Sequence, residues 1–223
     1  YGLAGNAYSN NSIKKIFIAK KRLKKNPLII HYYNLNAAKK DVVLNKNFYK
    51  IYKKFSPGPI TFIVKKKTNS RIKSLACANL KTVGIRFPKN KIIRKVLKKL
   101  DFPLAMPSAN KSSSVSPVKP LDVSEEFNNK IKVIDGGVTK IGIESTVLNL
   151  VGKICILRPG IITSEQIGKV LKIKIKFSLK DKTIKSPGLL KKHYSPGIPM
   201  YLNRKKCPRK YAFITFGKKY PVT

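Results

Sequence analysis

Five short clusters in this chain carry residue types that can hold an anion. The first is Lys20-Lys21-Arg22, followed by Asn26-Pro27 and an apolar run ending at His31. The second is Thr82-Val83-Gly84-Ile85-Arg86, where a guanidinium closes an otherwise apolar strand. A buried Arg at a strand end needs an anionic partner, from the protein or from a ligand. The third is Pro107-Ser108-Ala109-Asn110, with Ser112, Ser113, Ser114 and Ser116 behind it. Small hydroxyls and main-chain N–H groups can hold phosphate oxygens. The fourth is Gly142-Ile143-Glu144-Ser145-Thr146-Val147, and the fifth is Leu157-Arg158-Pro159-Gly160. Each has a plainer reading. Cations at a helix end satisfy the macrodipole, a Ser-rich stretch is more often just a loop, and a single acid such as Glu144 at a strand start is as easily structural. Taken together, the clusters make a pocket of Lys, Arg, Ser, Thr and Asn with no nucleophile and no metal cage. That inventory suits positioning and charge stabilisation at a nucleotide phosphate rather than covalent catalysis.

Several chemistries are disfavoured by what the sequence lacks. It has no GxxxxGK[ST], GxSxG or HExxH signature. Nine acids in all leave few candidates for a paired-carboxylate mechanism. The three cysteines, Cys77, Cys155 and Cys207, form no CxxC pair, which supports neither a zinc site nor a disulfide framework. A reducing cytoplasm fits them. No apolar run reaches the roughly 18 residues a membrane helix needs, and no secretory signal opens the chain.

The charge is large: 49 Lys and Arg against 9 Asp and Glu, a formal +40 over 223 residues. Such an excess attracts polyanions, RNA included. Only seven of the 49 are Arg, at positions 22, 71, 86, 94, 158, 204 and 209. The rest are Lys, and the chain is also rich in Asn and Ile, as A-rich codons would dictate. Most of the charge is therefore read as compositional drift, and the Arg residues as the informative cations, since Arg clamps phosphate or carboxylate bidentately. With 42% hydrophobic and 9% aromatic residues, a packed core is available and wholesale disorder is excluded.

Helices and strands interleave along the chain, which predicts an α/β or α+β fold: a twisted, mixed, open sheet with flanking helices. Asn10, Asn11 and Ser12 offer N-caps to a helix burying Ile13, Ile16 and Phe17. Phe48, Ile51, Tyr52 and Phe55 at i, i+3, i+4, i+7 predict a helix over 47–55, stopped by Ser56-Pro57-Gly58-Pro59. Strands are expected at 28–31, 60–64, 82–87, 103–106 and 133–135, with a hairpin over 145–157. A helix over 91–100 should turn Ile92, Ile93, Val96, Leu97 and Leu100 inward. Thr163-Ser164-Glu165-Gln166 fits a capping box, and alternation over 172–177 suits an edge strand. Two Ser-Pro-Gly punctuations around His193-Tyr194 mark a linker over 178–199. Residues 200–223, with a strand over 210–216, read as the start of a truncated second α/β domain, leaving 1–177 as the catalytic unit. Both ends read as truncations.

In this order the motifs resemble the YrdC-like threonylcarbamoyl-AMP synthases in their longer form. The matching segments are YGLAGNA (1–7), AKKRLKKNPLIIH (19–31), SPGPITFIV (56–64), TVGIRFP (82–88), PLAMPSAN (103–110), IDGG (134–137), ESTVLNL (144–150), ILRPGIIT (156–163) and SPGLLKKHYSPG (186–197). The resemblance implies a cytoplasmic nucleotidyltransferase with a basic concave face that joins L-threonine, bicarbonate and ATP into threonylcarbamoyl-AMP and pyrophosphate. A separate transferase would carry the product to tRNA. Carried over by position, Lys20 and Arg22 match the family's KxR pair facing the ATP phosphates, and Ser108 and Asn110 its SxN partner. Arg22, Asn26, Thr82, Ser108, Ser116 and Arg158 match nucleotide-binding positions. His31, Arg86, Met106 and Ser145 match positions around threonine, with Arg86 as the carboxylate clamp. His193 or its rival Ser186 would reach the nucleotide from the linker. Mg2+ would accompany ATP through phosphates and water.

Three departures from the family pattern stand out. The segment preceding YGL, with its substrate-contacting threonine, is not in this chain. Met106 replaces a small residue, and Leu189-Leu190-Lys191-Lys192 replaces a Lys-Tyr-Arg run. Two other readings compete: a non-catalytic module binding tRNA or double-stranded RNA, and a carbamoyl-transfer module of the kind found in hydrogenase maturation proteins. The Ser-Pro-Gly linker and the lack of zinc-finger cysteines disfavour the latter.

Overall fold

The computed structural model describes residues 1–112, 114–178, 198–204, 206–208 and 210–215. Along the chain run β1 (Gly5–Asn6), α1 (Asn10–Ala19), β2 (Ile29–His31), α2 (Leu35–Lys39), β3 (Val42–Val43), α3 (Lys46–Phe55), β4 (Ile60–Lys66), a 3₁₀ turn (Ser74–Cys77), β5 (Thr82–Arg86), α4 (Lys91–Lys99), β6 (Leu104–Ala105), α5 (Pro120–Glu126), β7 (Thr146–Asn149), β8 (Cys155–Arg158), α6 (Ser164–Leu171) and β9 (Lys176–Phe177).

The strands form one mixed sheet in the order β1-β6-β2-β5-β4-β7-β8-β9, with β3 pairing the far end of β4. β2 runs parallel to β5, and β4 parallel to β7, while β5 and β4 are antiparallel. Successive side chains on a strand point to opposite faces. One face carries Ile30, Phe62, Val64, Val83, Ile85, Leu148 and Ile156, which join Ile13 and Phe17 of α1, Phe48 and Ile51 of α3, and Ile167 and Leu171 of α6 in the main core. The other carries Ile29, His31, Thr61, Ile63, Gly84 and Arg86, segregated from the core by strand alternation, and also Arg158, which the register shift between β7 and β8 turns away from the core side that Ile156, two residues earlier, faces.

Local chemistry explains the elements. Asn45 caps α3 through Phe48 N, and the cis-capable turn after it is followed directly by β4. Thr163 and Gln166 cap α6 reciprocally, at 3.3 and 3.0 Å. The cap of α1 is Ser9, whose hydroxyl accepts from Ser12 N, one residue ahead of the expected Asn10–Ser12. In α4 only Leu97 is fully buried and Ile92 is exposed; five Lys and Arg in nine residues leave it lying on the surface. Residues 133–135 are not a strand, because their main chain follows the loop anchored by the Tyr1 hydroxyl, which accepts from Gly136 N and donates to Gly137 O. Residues 210–215 are not a strand either. The expected hairpin is β7–β8, and the expected edge strand is β9, paired with β8. Cys77, Cys155 and Cys207 are unbridged.

Candidate functional site

Register places the site. His31 of β2 pairs with Arg86 of β5, Arg86 with Thr61 of β4, Thr61 with Val147 of β7, and Val147 with Arg158 of β8. These five residues make one row across the sheet at the same end of its strands, roughly 19 Å from first to last at the usual inter-strand spacing. Ser145 lies just ahead of β7, and its hydroxyl is 2.8 Å from that of Thr61. Met106 follows β6, and its N–H donates to the Ile29 carbonyl, which puts it opposite Ile29, two residues along β2 from His31, whose own partner on β6 is Leu104. Gly84 keeps the floor low: a Cβ there would lie 3.3 Å from Ile63 Cδ1 and 3.5 Å from Thr61 Cγ2. Thr82 shares this face but sits at the opposite end of β5, about 13 Å along the strand from Arg86.

The row is flanked by two loops tied together through Lys20, the C-cap of α1. Its side chain is 1% exposed. Its ammonium donates to the carbonyls of Ser108 and Asn110, and its own carbonyl accepts from Ser112 N at 2.9 Å. Burial, with Arg22 adding to it, pushes the Lys20 pKa down to about 7. The expected KxR and SxN motifs thus meet through a lysine side chain and main-chain carbonyls. Arg22 is braced by Asn26, whose main-chain and side-chain oxygens accept at 3.0 and 2.8 Å, and by the Pro27 carbonyl at 2.8 Å. Burial lowers its pKa to about 10. Asn110 donates its amide to the carbonyls of Lys111 and Ser114, while its buried Oδ1 has no hydrogen-bond partner among the described residues.

At the other end of the row, Arg86 Nε donates to the Gly58 carbonyl at 3.2 Å, so the Ser-Pro-Gly-Pro turn orients it. Burial first, then Arg158, lowers its pKa to about 10. His31 is buried, and its Nδ1 lies 3.1 Å from the Ile29 carbonyl. Burial and the Arg86 charge push its pKa down to about 3, which keeps the ring neutral. Arg158 is 6% exposed. It donates to the Ser145 carbonyl from Nε and Nη2, to the Ser145 hydroxyl at 3.1 Å, and to Glu144 as an ion pair. Glu144 also accepts from Ser116 at 3.3 Å. A cleft of about 400 Å³ opens beside the Ser-rich loop between Asn110, Lys111, Ser116, Asp122 and Glu126.

The expected site residues Lys20, Arg22, Asn26, His31, Arg86, Met106, Ser108, Asn110, Ser116, Ser145 and Arg158 therefore line one face of the sheet and the loops at its edge. His193 and Ser186 lie outside the described residues. The sequence reading passed over Thr61 and Gly58 and gave Glu144 no role. Thr61 is marked only by being a hydroxyl in an apolar strand.

A model of the Sua5, YciO and YrdC proteins, described as telomere recombination, matches residues 1–160, and a model of the threonylcarbamoyl-AMP synthase C-terminal domain matches residues 162–220. The chain belongs to the Sua5/YciO/YrdC family. It is 38% identical over 205 residues to the threonylcarbamoyl-AMP synthase of Pyrococcus abyssi and 37% identical over 213 residues to that of Bacillus subtilis. These alignments cover 88% and 90% of the chain and 59% of each relative, so the chain spans about three-fifths of their length. The crystal structure of Pyrococcus abyssi Sua5 complexed with L-threonine superposes with a TM-score of 0.83 at 36% identity, over 87% of this chain and 59% of that one. The Sua5/YciO/YrdC sheet is accordingly the frame on which this row, with Arg86 and Arg158 in it, is mounted. Its C-terminal model begins ahead of α6, yet Ile167 and Leu171 of that helix belong to the main core.

Proposed function

We propose that the protein is an L-threonylcarbamoyladenylate synthase, forming threonylcarbamoyl-AMP and pyrophosphate from L-threonine, bicarbonate and ATP. The observation that carries this reading is the single row in which a neutral His31 and Arg86 lie at one end and Arg158 at the other, with Lys20 and Arg22 beside it. A relative of the same family, at 36% identity, binds L-threonine.

In this reading threonine lies at the His31 end. Arg86 clamps its carboxylate, Ser145 orients it, and Met106 sets the pocket volume. His31, uncharged, offers a neutral donor or acceptor without repelling the amine. Bicarbonate loses hydroxide to give carbon dioxide, the threonine amine attacks that carbon, and the amine proton joins the hydroxide as water, leaving a carbamate. A carbamate oxygen then attacks the α-phosphorus of ATP, and the bond from that phosphorus to the bridging oxygen breaks to release pyrophosphate. Catalysis is by placement and by fixed positive charge on the phosphates. Arg22, set by Asn26, and Arg158 supply that charge. Lys20 spends two of its three donors on the loop bearing Ser108 and Asn110, leaving one for a phosphate oxygen. Thr82 and Ser116 complete the nucleotide contacts, and motif order alone assigns His193, outside the described residues, to the nucleotide as well. Residues 1–177 form the catalytic unit, and 200–223 begin a second domain.

Among the described residues no group of three or more His, Cys, Asp or Glu can hold a metal ion. Magnesium would therefore enter on the ATP phosphates, neutralising their charge, and Asn110 Oδ1 suits a hydrogen bond from one of its waters. No described helix is long and apolar enough to cross a membrane, and we place the enzyme in the cytoplasm, handing its product to a tRNA-modifying transferase.

The deciding experiment measures pyrophosphate release by the full-length protein. Release that needs both threonine and bicarbonate supports the synthase. Folded protein that releases none, but binds tRNA or double-stranded RNA, supports the binding module instead.

A further inference from the structure

Glu144 faces every cation of the site. It forms the ion pair with Arg158, and it is the acid whose charge acts on Lys20, Arg22 and Arg86 alike. Among the described residues, Oε2 takes the Arg158 guanidinium, and Oε1 takes the Ser116 hydroxyl at 3.3 Å. Arg158 and Ser116 are both groups that the synthase reading gives to the nucleotide. A planar anion with two oxygens, one on a guanidinium and one on a serine hydroxyl, is the arrangement a phosphate would make there.

We propose that Glu144 is a built-in phosphate surrogate, which holds Arg158 and Ser116 until the nucleotide displaces it. The inference rests on the synthase reading for the identity of the ligand, but not on turnover. Its physical basis is charge. Arg158 is almost fully buried, and a buried guanidinium without an anion is strongly destabilising. Two contacts with the Ser145 carbonyl satisfy its donors without neutralising it. Glu144 neutralises it, and keeps it aimed at the place where phosphate arrives. Its backbone lies immediately before Ser145, so a swing of the carboxylate leaves the row across the sheet undisturbed. Only an anion strong enough to replace a carboxylate on both groups can enter, which selects for polyphosphate over weaker anions.

The test is direct binding by the full-length protein, without threonine or bicarbonate, using ATP and inorganic tripolyphosphate as probes. Glu144→Gln keeps the shape and removes the charge to be displaced. Both probes should then bind about tenfold tighter, the worth of one charged hydrogen bond that no longer has to be broken. Unchanged or weaker binding overturns the proposal, since a carboxylate that merely orients Arg158 would be missed by the ligand. Should Glu144→Gln fail to fold, crystal structures of the wild-type protein with and without ATP decide: the carboxylate must leave Arg158 and Ser116 on binding, and its staying there overturns the proposal. A wild type that binds tripolyphosphate and behaves as expected in this test, yet makes no pyrophosphate from ATP, overturns the synthase reading alone. A wild type that binds neither probe overturns both.

Discussion

The Lys20 ammonium donates to the main-chain carbonyl of Ser108 at 2.5 Å, so the end of α1 and the loop after β6 are joined by a charge rather than by packing. A buried ammonium held near neutrality by its surroundings gives nucleotide binding a pH dependence. Lys20 must be protonated to pair with phosphate, and its pKa of about 7 will rise once phosphates arrive. Below that value the site is already charged. Above it, binding must draw a proton from solution. ATP affinity should therefore fall as pH rises between about 7 and about 9, with net proton uptake on binding. Calorimetry in buffers of different ionisation enthalpy measures the uptake. Lys20→Met should bind ATP more weakly and without this dependence.

The surface lysines and the site cations should part company under mutation. Arg22→Ala removes a guanidinium fixed by Asn26 and Pro27, and should lower kcat/KM by at least about a hundredfold. Replacing exposed Lys98 and Lys99 of α4 with Gln should leave kcat/KM within about twofold. Steady-state pyrophosphate release measures both. Equal damage from the two would mean that bulk charge, not placement, drives the reaction.

His31 links the site to acid stability. Its pKa of about 3 in the folded protein lies below its ordinary value, so the unfolded chain binds the extra proton in between. Stability from this residue is complete above about pH 6.5 and is lost as pH falls toward 3. Urea midpoints of the wild type should drop over that window more steeply than those of His31→Gln.

The sequence already carried most of this frame. The i, i+3, i+4, i+7 pattern of α3, the apolar runs of β4 and β5, and the Thr163–Gln166 box of α6 each rest on local chemistry, and local chemistry is what a single sequence encodes. β1 and β3 are two residues long and exist through their partners. α5 was legible in hindsight, since Pro120 opens it and Asp122 accepts from the N–H groups of Val118 and Lys119. The site residues were reached through motif order. Glu144 was not, because its partners Ser116 and Arg158 are brought to it only by the β7–β8 hairpin and the Ser-rich loop.

Asp41 tests a different part of the molecule. This buried carboxylate accepts from the hydroxyls of Tyr8, Tyr32 and Ser70, and from Arg71 N. Asp41→Ala strands those donors and should cost about 3 kcal/mol of stability. ATP affinity of the fraction that stays folded should not change. Thermal melts and nucleotide titration separate the two effects.

The row from His31 to Arg158 draws one residue from each of five strands, and the chain visits those strands in an order unlike their order in the sheet. No contiguous half of the chain holds the row. The site is thus a reporter of completed topology: a folding intermediate with its helices formed but one strand undocked has nothing to bind with. Ligand, when it binds, grips the middle of the sheet crosswise, like a staple through stacked pages, and its stabilisation is shared by all five strands at once.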